Sequence, residues 1–191
     1  MNNANTAQAM YAMGINQTAD LIKVIGPTNS SLIQGHMGTG KTSLLYILAA
    51  LLPTHTPVYI DGTTLIDSAD MFMVKYSLDG KTFNTVPLED LGLHMPDQPV
   101  ILMFDELGKM TRSAQLATLR IQLERKHGKM TLHPDSIVFS TTNLGAEGVG
   151  DLLPAHARNR LTVVTMRKPD NMEWIEWGID NDIDPALLGF C

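Results

Sequence analysis

The sequence predicts an α/β fold with a parallel five-stranded sheet flanked by helices. Three observations lead to this prediction. Short apolar stretches alternate with segments of helical character, the order that places parallel strands between helices. A glycine-rich segment, 35–42, joins the first predicted strand to a helix. Residues 100–104 are five apolar residues in a row, typical of a strand buried on both faces. Ligands of such sheets bind at the carboxyl ends of the strands.

Each element follows from a local pattern. Gly26-Pro27 ends the first helix, and Pro53 ends the second, which is apolar almost all round and therefore expected to be buried. Glycine, proline and aspartate favour a loop over 76–99, with a hairpin near 78–83. Basic residues followed by Gly128 predict the end of the last helix. The predicted helices are 18–25, 41–52, 66–75 and 111–127, and the predicted strands are 31–34, 58–60, 100–104, 137–140 and 161–166.

The composition, with 44% hydrophobic and 18% charged residues, is ordinary for a soluble globular protein. A net charge of −6 argues against a dedicated nucleic-acid binder, because such proteins use basic patches. The one cysteine is Cys191, so no internal disulfide is expected, which fits a reducing cytoplasm. The first residues lack the pattern of a signal peptide, and no apolar run approaches the ~20 residues of a membrane span. We therefore expect a cytoplasmic protein without membrane contact.

The segment 35–42 matches the phosphate-binding pattern G-x-x-x-x-G-K-[ST] between a strand and a helix. Its glycines let the backbone wrap phosphates with amides pointing inward, and the helix adds its positive N-terminal end. Lys41 is expected to reach the β and γ phosphates, and the Thr42 hydroxyl to ligate Mg²⁺. This P-loop pattern predicts a nucleotide-binding set of Gly35, His36, Met37, Gly38, Thr39, Gly40, Lys41, Thr42 and Ser43.

Two adjacent acids, Asp105 and Glu106, end the buried strand at 100–104. A strand that ends there places Asp105 beside the phosphate loop, where it can orient the Mg²⁺ shell. Glu106 is then positioned to polarise an attacking water. This arrangement favours a hydrolase over a kinase, because a kinase must exclude water from its phosphoryl group.

Two later segments complete the candidate site. Asn143 follows the apolar strand at 137–140, and its amide can both donate and accept hydrogen bonds to hold a water near the γ-phosphate. Arg158 and Arg160 precede the last predicted strand. One of them is expected to reach the γ-phosphate of a neighbouring subunit, whereas surface charges are the alternative.

These elements, in this order, resemble the AAA+ ATPase module, and its MoxR-like branch most closely. Residues 105–115 resemble that branch's Walker B segment, in which a glutamine, here Gln115, begins a leucine-rich helix. Residues 133–136, leading into Asn143, are similar to the approach to its sensor 1. Residues 153–160 resemble its arginine-finger segment, in which Arg160 corresponds to the finger and Arg158 to a second interface arginine.

The resemblance implies an ATP hydrolase that uses Mg²⁺, assembles as a homo-oligomeric ring (a hexamer) and remodels a client protein. It divides the chain into an N-terminal helical segment (1–25), an AAA+ core (26–168) and the start of a lid or a tail (169–191), so the helical lid is expected to be rudimentary or missing. The segment 62–65 lacks the aromatic residue of polypeptide-threading relatives. The alternatives are a nucleic-acid motor or loader, a monomeric P-loop kinase and a nucleotide-gated scaffold.

Overall fold

A computed structural model describes residues 12–144 and 159–189 of the chain. Five parallel strands form the main sheet in the order β2-β5-β8-β1-β9, and two separate hairpins are formed by β3 with β4 and by β6 with β7. The strands are β1 (Ser31–Gly35), β2 (Thr56–Asp61), β3 (Phe72–Tyr76), β4 (Phe83–Pro87), β5 (Val100–Asp105), β6 (Lys126–His127), β7 (Met130–Thr131), β8 (Ile137–Asn143) and β9 (Thr162–Met166). The predicted parallel five-stranded sheet is confirmed.

Helices flank this sheet, and local sequence signals explain where they begin. The Thr111 hydroxyl accepts a hydrogen bond from the Ala114 amide at the start of α3, and Asp170 with Glu173 forms a reciprocal capping box at the start of α4. No helix in the described ranges is long and apolar enough to cross a membrane. The helices are α1 (Ile15–Ile25), α2 (Ser43–Leu51), α3 (Arg112–Glu124), α4 (Asn171–Asp180) and α5 (Pro185–Leu188).

The core consists of two layers, one on each face of the sheet. On one face, α1 and α2 bury side chains such as Ile22 and Leu48 against Met103 of β5. On the other face, Leu119 of α3 packs in the cluster that contains Phe104. Residues of β5 therefore alternate between two cores, which explains why the whole strand is apolar until its last residue.

The strand register determines which residues meet at the carboxyl edge of the sheet. Gly35 at the end of β1 pairs with Asn143 at the end of β8. Asp105 at the end of β5 pairs with Asp61 at the end of β2. The order of the strands puts β8 between β1 and β5, so the phosphate loop and the acidic pair lie on either side of Asn143.

The predicted helix at 66–75 is wrong. Asp67 instead caps a single 3-10 turn, Ser68–Asp70, by accepting a hydrogen bond from the Ala69 amide. The chain then forms β3, whose β-branched and aromatic residues suit a strand, and it pairs with β4 across the turn 77–82. The hairpin expected near 78–83 therefore exists, but its strands lie further out on both sides.

Two further helix predictions need correction. The helix predicted over 111–127 ends at Glu124, because Arg125 adopts a left-handed conformation (φ 53°) and its guanidinium donates to the carbonyl oxygens of Gly26 and Ser136. The chain continues into the β6–β7 hairpin. The helix predicted over 41–52 is not buried all round, since Tyr46 and Leu51 are exposed on its outer side.

Candidate active site

The phosphate loop connects β1 to α2. Gly38 (φ 74°) and Gly40 (φ 84°) occupy the left-handed region, which residues with a Cβ rarely adopt, so these two glycines permit the tight course of the loop. Between them, the buried Thr39 hydroxyl donates to the His36 carbonyl oxygen at 3.0 Å. His36 and Met37 are exposed, and Ser43 forms the first residue of α2.

Lys41 is buried, although lysine is among the residues least often found inside a protein. Its Nζ donates to the carbonyl oxygens of Gly35 at 3.1 Å and His36 at 2.8 Å. These bonds hold the ammonium group against the inner side of the loop. A positive charge thus lies where the loop amides and the start of α2 also favour an anion.

Asp105 is buried at the end of β5 and accepts four hydrogen bonds. Its Oδ2 accepts from the hydroxyls of Thr42 (2.9 Å) and Tyr59 (3.1 Å). Its Oδ1 accepts from the Thr141 hydroxyl and from the Glu106 amide (3.2 Å). These four bonds hold both carboxylate oxygens in place at the end of β5.

Tyr59 remains a hydrogen-bond donor throughout the neutral pH range. Partial desolvation of its hydroxyl, followed by the negative charge of Asp105, raises the pKa of this otherwise half-exposed side chain to about 12. Loss of this proton would place two negative charges side by side, so the neutral phenol is favoured.

Thr42 and Asp105 are suited to Mg²⁺. Magnesium prefers oxygen ligands and is usually bound by one or two protein groups together with substrate phosphates, not by a cage of protein side chains. The Thr42 hydroxyl and the Asp105 carboxylate supply such oxygens 2.9 Å apart, beside the phosphate loop. Within the described ranges, no group of three or more His, Cys, Asp or Glu side chains could hold a metal by itself.

Glu106 has a strained backbone and a well-defined carboxylate. Its φ of 54° and ψ of 43° are uncommon for a residue with a side chain, and such conformations concentrate at functional sites. Both carboxylate oxygens accept from Asn143 Nδ2 at 3.1 Å, and Lys109 Nζ lies 3.4 Å from Oε2. The buried Gln115 side chain donates to the Leu107 and Met110 carbonyl oxygens, which stabilises the turn that follows.

Five of the side chains that the sequence predicts for the site lie together in the structure, and one predicted site residue, Arg160, lies apart from them. The group at the carboxyl edge of the sheet consists of Lys41, Thr42, Asp105, Glu106 and Asn143. Arg160 is exposed just before β9, and Arg158 lies outside the described residues.

Arg160 lies at the opposite edge of the sheet from this group. The Thr162 amide donates to the Ser30 carbonyl oxygen, and Thr162 pairs with Ser31, the first residue of β1. With a rise of ~3.3 Å per residue, the first and last residues of β9 lie about 13 Å apart. Arg160 therefore lies beyond the amino end of β9, at the opposite edge of the sheet from the phosphate loop of the same chain.

Sequence reasoning missed two side chains that hold the acidic pair. Thr141 donates to Asp105 and its Oγ1 accepts from the Glu106 amide at 3.1 Å, and Tyr59 contacts Asp105 from the neighbouring strand. The hydroxyl residues after 137–140 give a weak signal for Thr141. Tyr59 gives none, because its role depends on the register that pairs it with Met103.

We expect Thr141→Val to destabilise the protein by about 1–3 kcal/mol, because it removes one bond to a buried carboxylate and leaves the Glu106 amide without its hydroxyl acceptor. The free energy of unfolding from urea denaturation would measure the change. Thr142→Val is the matched control, since its hydroxyl makes only a 3.5 Å contact with the Asn143 carbonyl oxygen. Equal losses in both variants would contradict the structural role of Thr141.

The parallel sheet and the phosphate loop between β1 and α2 are those of a P-loop nucleotide-binding protein. Residues 31–168 match the family described as ATPase family associated with various cellular activities (AAA). The chain belongs to this family. It matches none of the curated proteins.

Solved structures share the fold at low sequence identity. One is a provisionally assigned ATPase from Cytophaga hutchinsonii, with a TM-score of 0.59 and 16% identity over 90% of this chain and 52% of that one. Another is a mutant of RuvB from Thermotoga maritima, with a TM-score of 0.56 and 16% identity over 85% of this chain and 47% of that one. The chain thus spans about half the length of each protein.

Proposed function

We propose that this chain hydrolyses ATP with Mg²⁺ at the junctions between subunits of a ring and uses the cycle to remodel a partner protein, as in the MoxR-like branch that its sequence resembles. The observation that supports the chemistry best is the position of the Glu106 carboxylate. It is hydrogen-bonded to Asn143 and lies next in the chain to Asp105, which contacts Thr42 of the phosphate loop.

In this proposal, residues 35–43 bind the phosphates through loop amides, and Lys41 contributes the cation that faces the β and γ oxygens. Thr42 and Asp105 hold Mg²⁺, which when bound neutralises the charge that develops on the phosphates. Tyr59 and Thr141 fix the orientation of Asp105 through its two oxygens.

Glu106 acts as the base that accepts a proton from the attacking water, and Asn143 orients the carboxylate and the water. The Asn143 amide uses one Nδ2 group to contact both oxygens of Glu106. Its carbonyl oxygen remains suited to accept a hydrogen bond from water. Side-chain exposure of 24% leaves Glu106 open to a ligand at the mouth of the loop.

A neighbouring subunit is proposed to complete the site. Arg160 is exposed at the amino edge of the sheet, beside the edge strand β9. From this position it can face outward to another copy in a head-to-tail arrangement, the geometry that closes into rings. Arg158, two residues earlier, is proposed as the second interface arginine, and a hexamer as the ring. Net charge and the chain's resemblance favour a protein over a nucleic acid as the client.

Two measurements test this proposal: phosphate release from ATP tests the hydrolysis, and the particle mass in solution tests the assembly. We expect phosphate to appear without any acceptor molecule, to stop when EDTA removes Mg²⁺, and to be absent from Lys41→Ala, which serves as the background. Light scattering should report a larger mass with ATP than without nucleotide. Turnover by a monomer that is independent of protein concentration would contradict the subunit-junction site while leaving the hydrolase assignment intact.

A further inference from the structure

Two small hairpins form one continuous surface outside the nucleotide site. The Phe72 ring of β3 stacks on His127 of β6 at 3.6 Å between centroids, and the Thr85 hydroxyl of β4 lies 2.7 Å from His127 Nε2. Arg125 anchors the second hairpin to the carbonyl oxygen of Ser136, directly before β8. We call residues 72–87 and 125–131 the double-hairpin surface.

This surface is basic on a protein that is otherwise acidic. It holds five of the fourteen Lys and Arg residues of the chain but only one of the twenty acidic residues, Asp79. The Arg125 guanidinium is directed at backbone carbonyls, whereas the four lysines of the surface are exposed. The lysines of the double-hairpin surface attract an acidic ligand, whereas the negative charge of the rest of the chain repels it. The exposed lysines are Lys75, Lys81, Lys126 and Lys129.

The first hairpin also exposes large apolar side chains. Met73 and Tyr76 are 75% and 70% exposed, and Leu78 projects fully from the turn. Phe83 lies across from Tyr76, with ring centroids 6.2 Å apart. Beside β3, a groove of about 520 Å³ is lined mainly by apolar side chains, with Lys75 on the strand and the carboxylates of Asp70 and Glu89 at its ends in the chain, so it suits the apolar side chains of a ligand and not its acidic ones. Exposed apolar groups in such number typically mark an interaction site.

The hairpin offers a backbone edge as well. Among the residues that the structure describes, β3 pairs only with β4, in a sheet of two strands. Two-stranded sheets have marginal stability, and an unpaired strand edge is a template for a further strand. An extended polypeptide can use this edge through its amides and carbonyls, whereas a nucleic acid cannot.

We propose that the double-hairpin surface binds an extended, acidic segment of a partner protein, which adds to the edge of β3. Its apolar side chains would occupy the groove, and its carboxylates would face the lysines. This inference rests on the proposed function, since it names the chemistry of the protein client. The open edge of β3 favours a polypeptide, because an extended chain can pair with a strand edge through its amides and carbonyls and a nucleic acid cannot.

The test is the binding of a fluorescein-labelled peptide of alternating glutamate and leucine, followed by anisotropy with the full-length chain. We expect this peptide to bind more tightly than its lysine–leucine counterpart and than oligothymidylate of equal charge. Lys75→Glu with Lys126→Glu, one change in each hairpin, should weaken binding at least about tenfold. Phe83→Ser should weaken it without a change in charge.

The matched control is Lys23→Glu with Lys168→Glu, which makes the same change in net charge at exposed lysines outside the surface. Equal weakening in the control, tighter binding of oligothymidylate, or no preference for the acidic peptide would overturn the inference. Phosphate release measured on the same preparations separates the two proposals, because none of these variants changes a residue of the candidate active site. Hydrolysis without peptide binding refutes only the docking surface, and peptide binding without hydrolysis refutes only the proposed catalysis.

Discussion

Glu106→Gln is expected to bind ATP with near-native affinity and to hydrolyse it about 10²–10⁴ times more slowly, the range for loss of a general base. The substitution keeps the size of the side chain and one oxygen that can accept from Asn143. It removes only the capacity to take a proton from water. Lys41, Thr42 and Asp105, which are proposed to bind the nucleotide and Mg²⁺, are unchanged. We therefore expect this variant to keep its affinity for ATP while its rate of hydrolysis falls.

Calorimetric titration with ATP and single-turnover phosphate release would measure the two effects independently. Glu106 also forms an ion pair with Lys109, which is 42% exposed, so this pair contributes at most about 1 kcal/mol. Lys109→Met is the control, because it removes the ion pair and leaves the carboxylate; we expect it to retain most of its turnover. Normal turnover by Glu106→Gln would show that the catalytic carboxylate lies elsewhere.

The parts of the site that the sequence predicts are those encoded in contiguous residues. When it lies between a strand and a helix, this spacing of the glycines, Lys41 and Thr42 is typical of a phosphate-binding loop. Asp105 and Glu106 follow an apolar run that only a strand buried on both faces requires. Because parallel strands share one carboxyl edge, these two segments and Asn143 were expected to meet, and the structure brings them together. Their catalytic roles stay predictions.

The missed features depend on contacts between distant residues. The end of α3 is determined by Arg125, which reaches Gly26, 99 residues away. No local signal reveals such a contact, and basic residues before a glycine resemble an ordinary helix end. Similarly, the segment 66–75 has enough apolar residues for a helix, but its strand form depends on pairing with β4. Tyr59 meets Asp105 only because β2 lies beside β5.

Arg160→Ala is expected to leave ATP binding largely intact and to lower turnover by ~10³–10⁵, the range for an arginine finger. Because Arg160 precedes β9, whose two ends are about 13 Å apart, it lies at the far edge of the sheet from its own phosphate loop, and the loss would arise at the neighbouring subunit's nucleotide. Asn159→Ala is the matched control, since Asn159 is the exposed neighbour in the chain. We expect this control to hydrolyse ATP normally, as measured by phosphate release.

Mixing variants tests the proposed junction directly. A Lys41→Ala subunit cannot use its own phosphate loop but keeps Arg160, whereas an Arg160→Ala subunit keeps its loop and lacks the arginine. Each variant alone should be nearly inactive, and the mixture should regain activity, because some junctions then join an intact loop to an intact arginine. Wild-type turnover per subunit should also rise with protein concentration as rings assemble. If the mixture stays as inactive as its components while light scattering shows that they assemble together, Arg160 does not act across the junction.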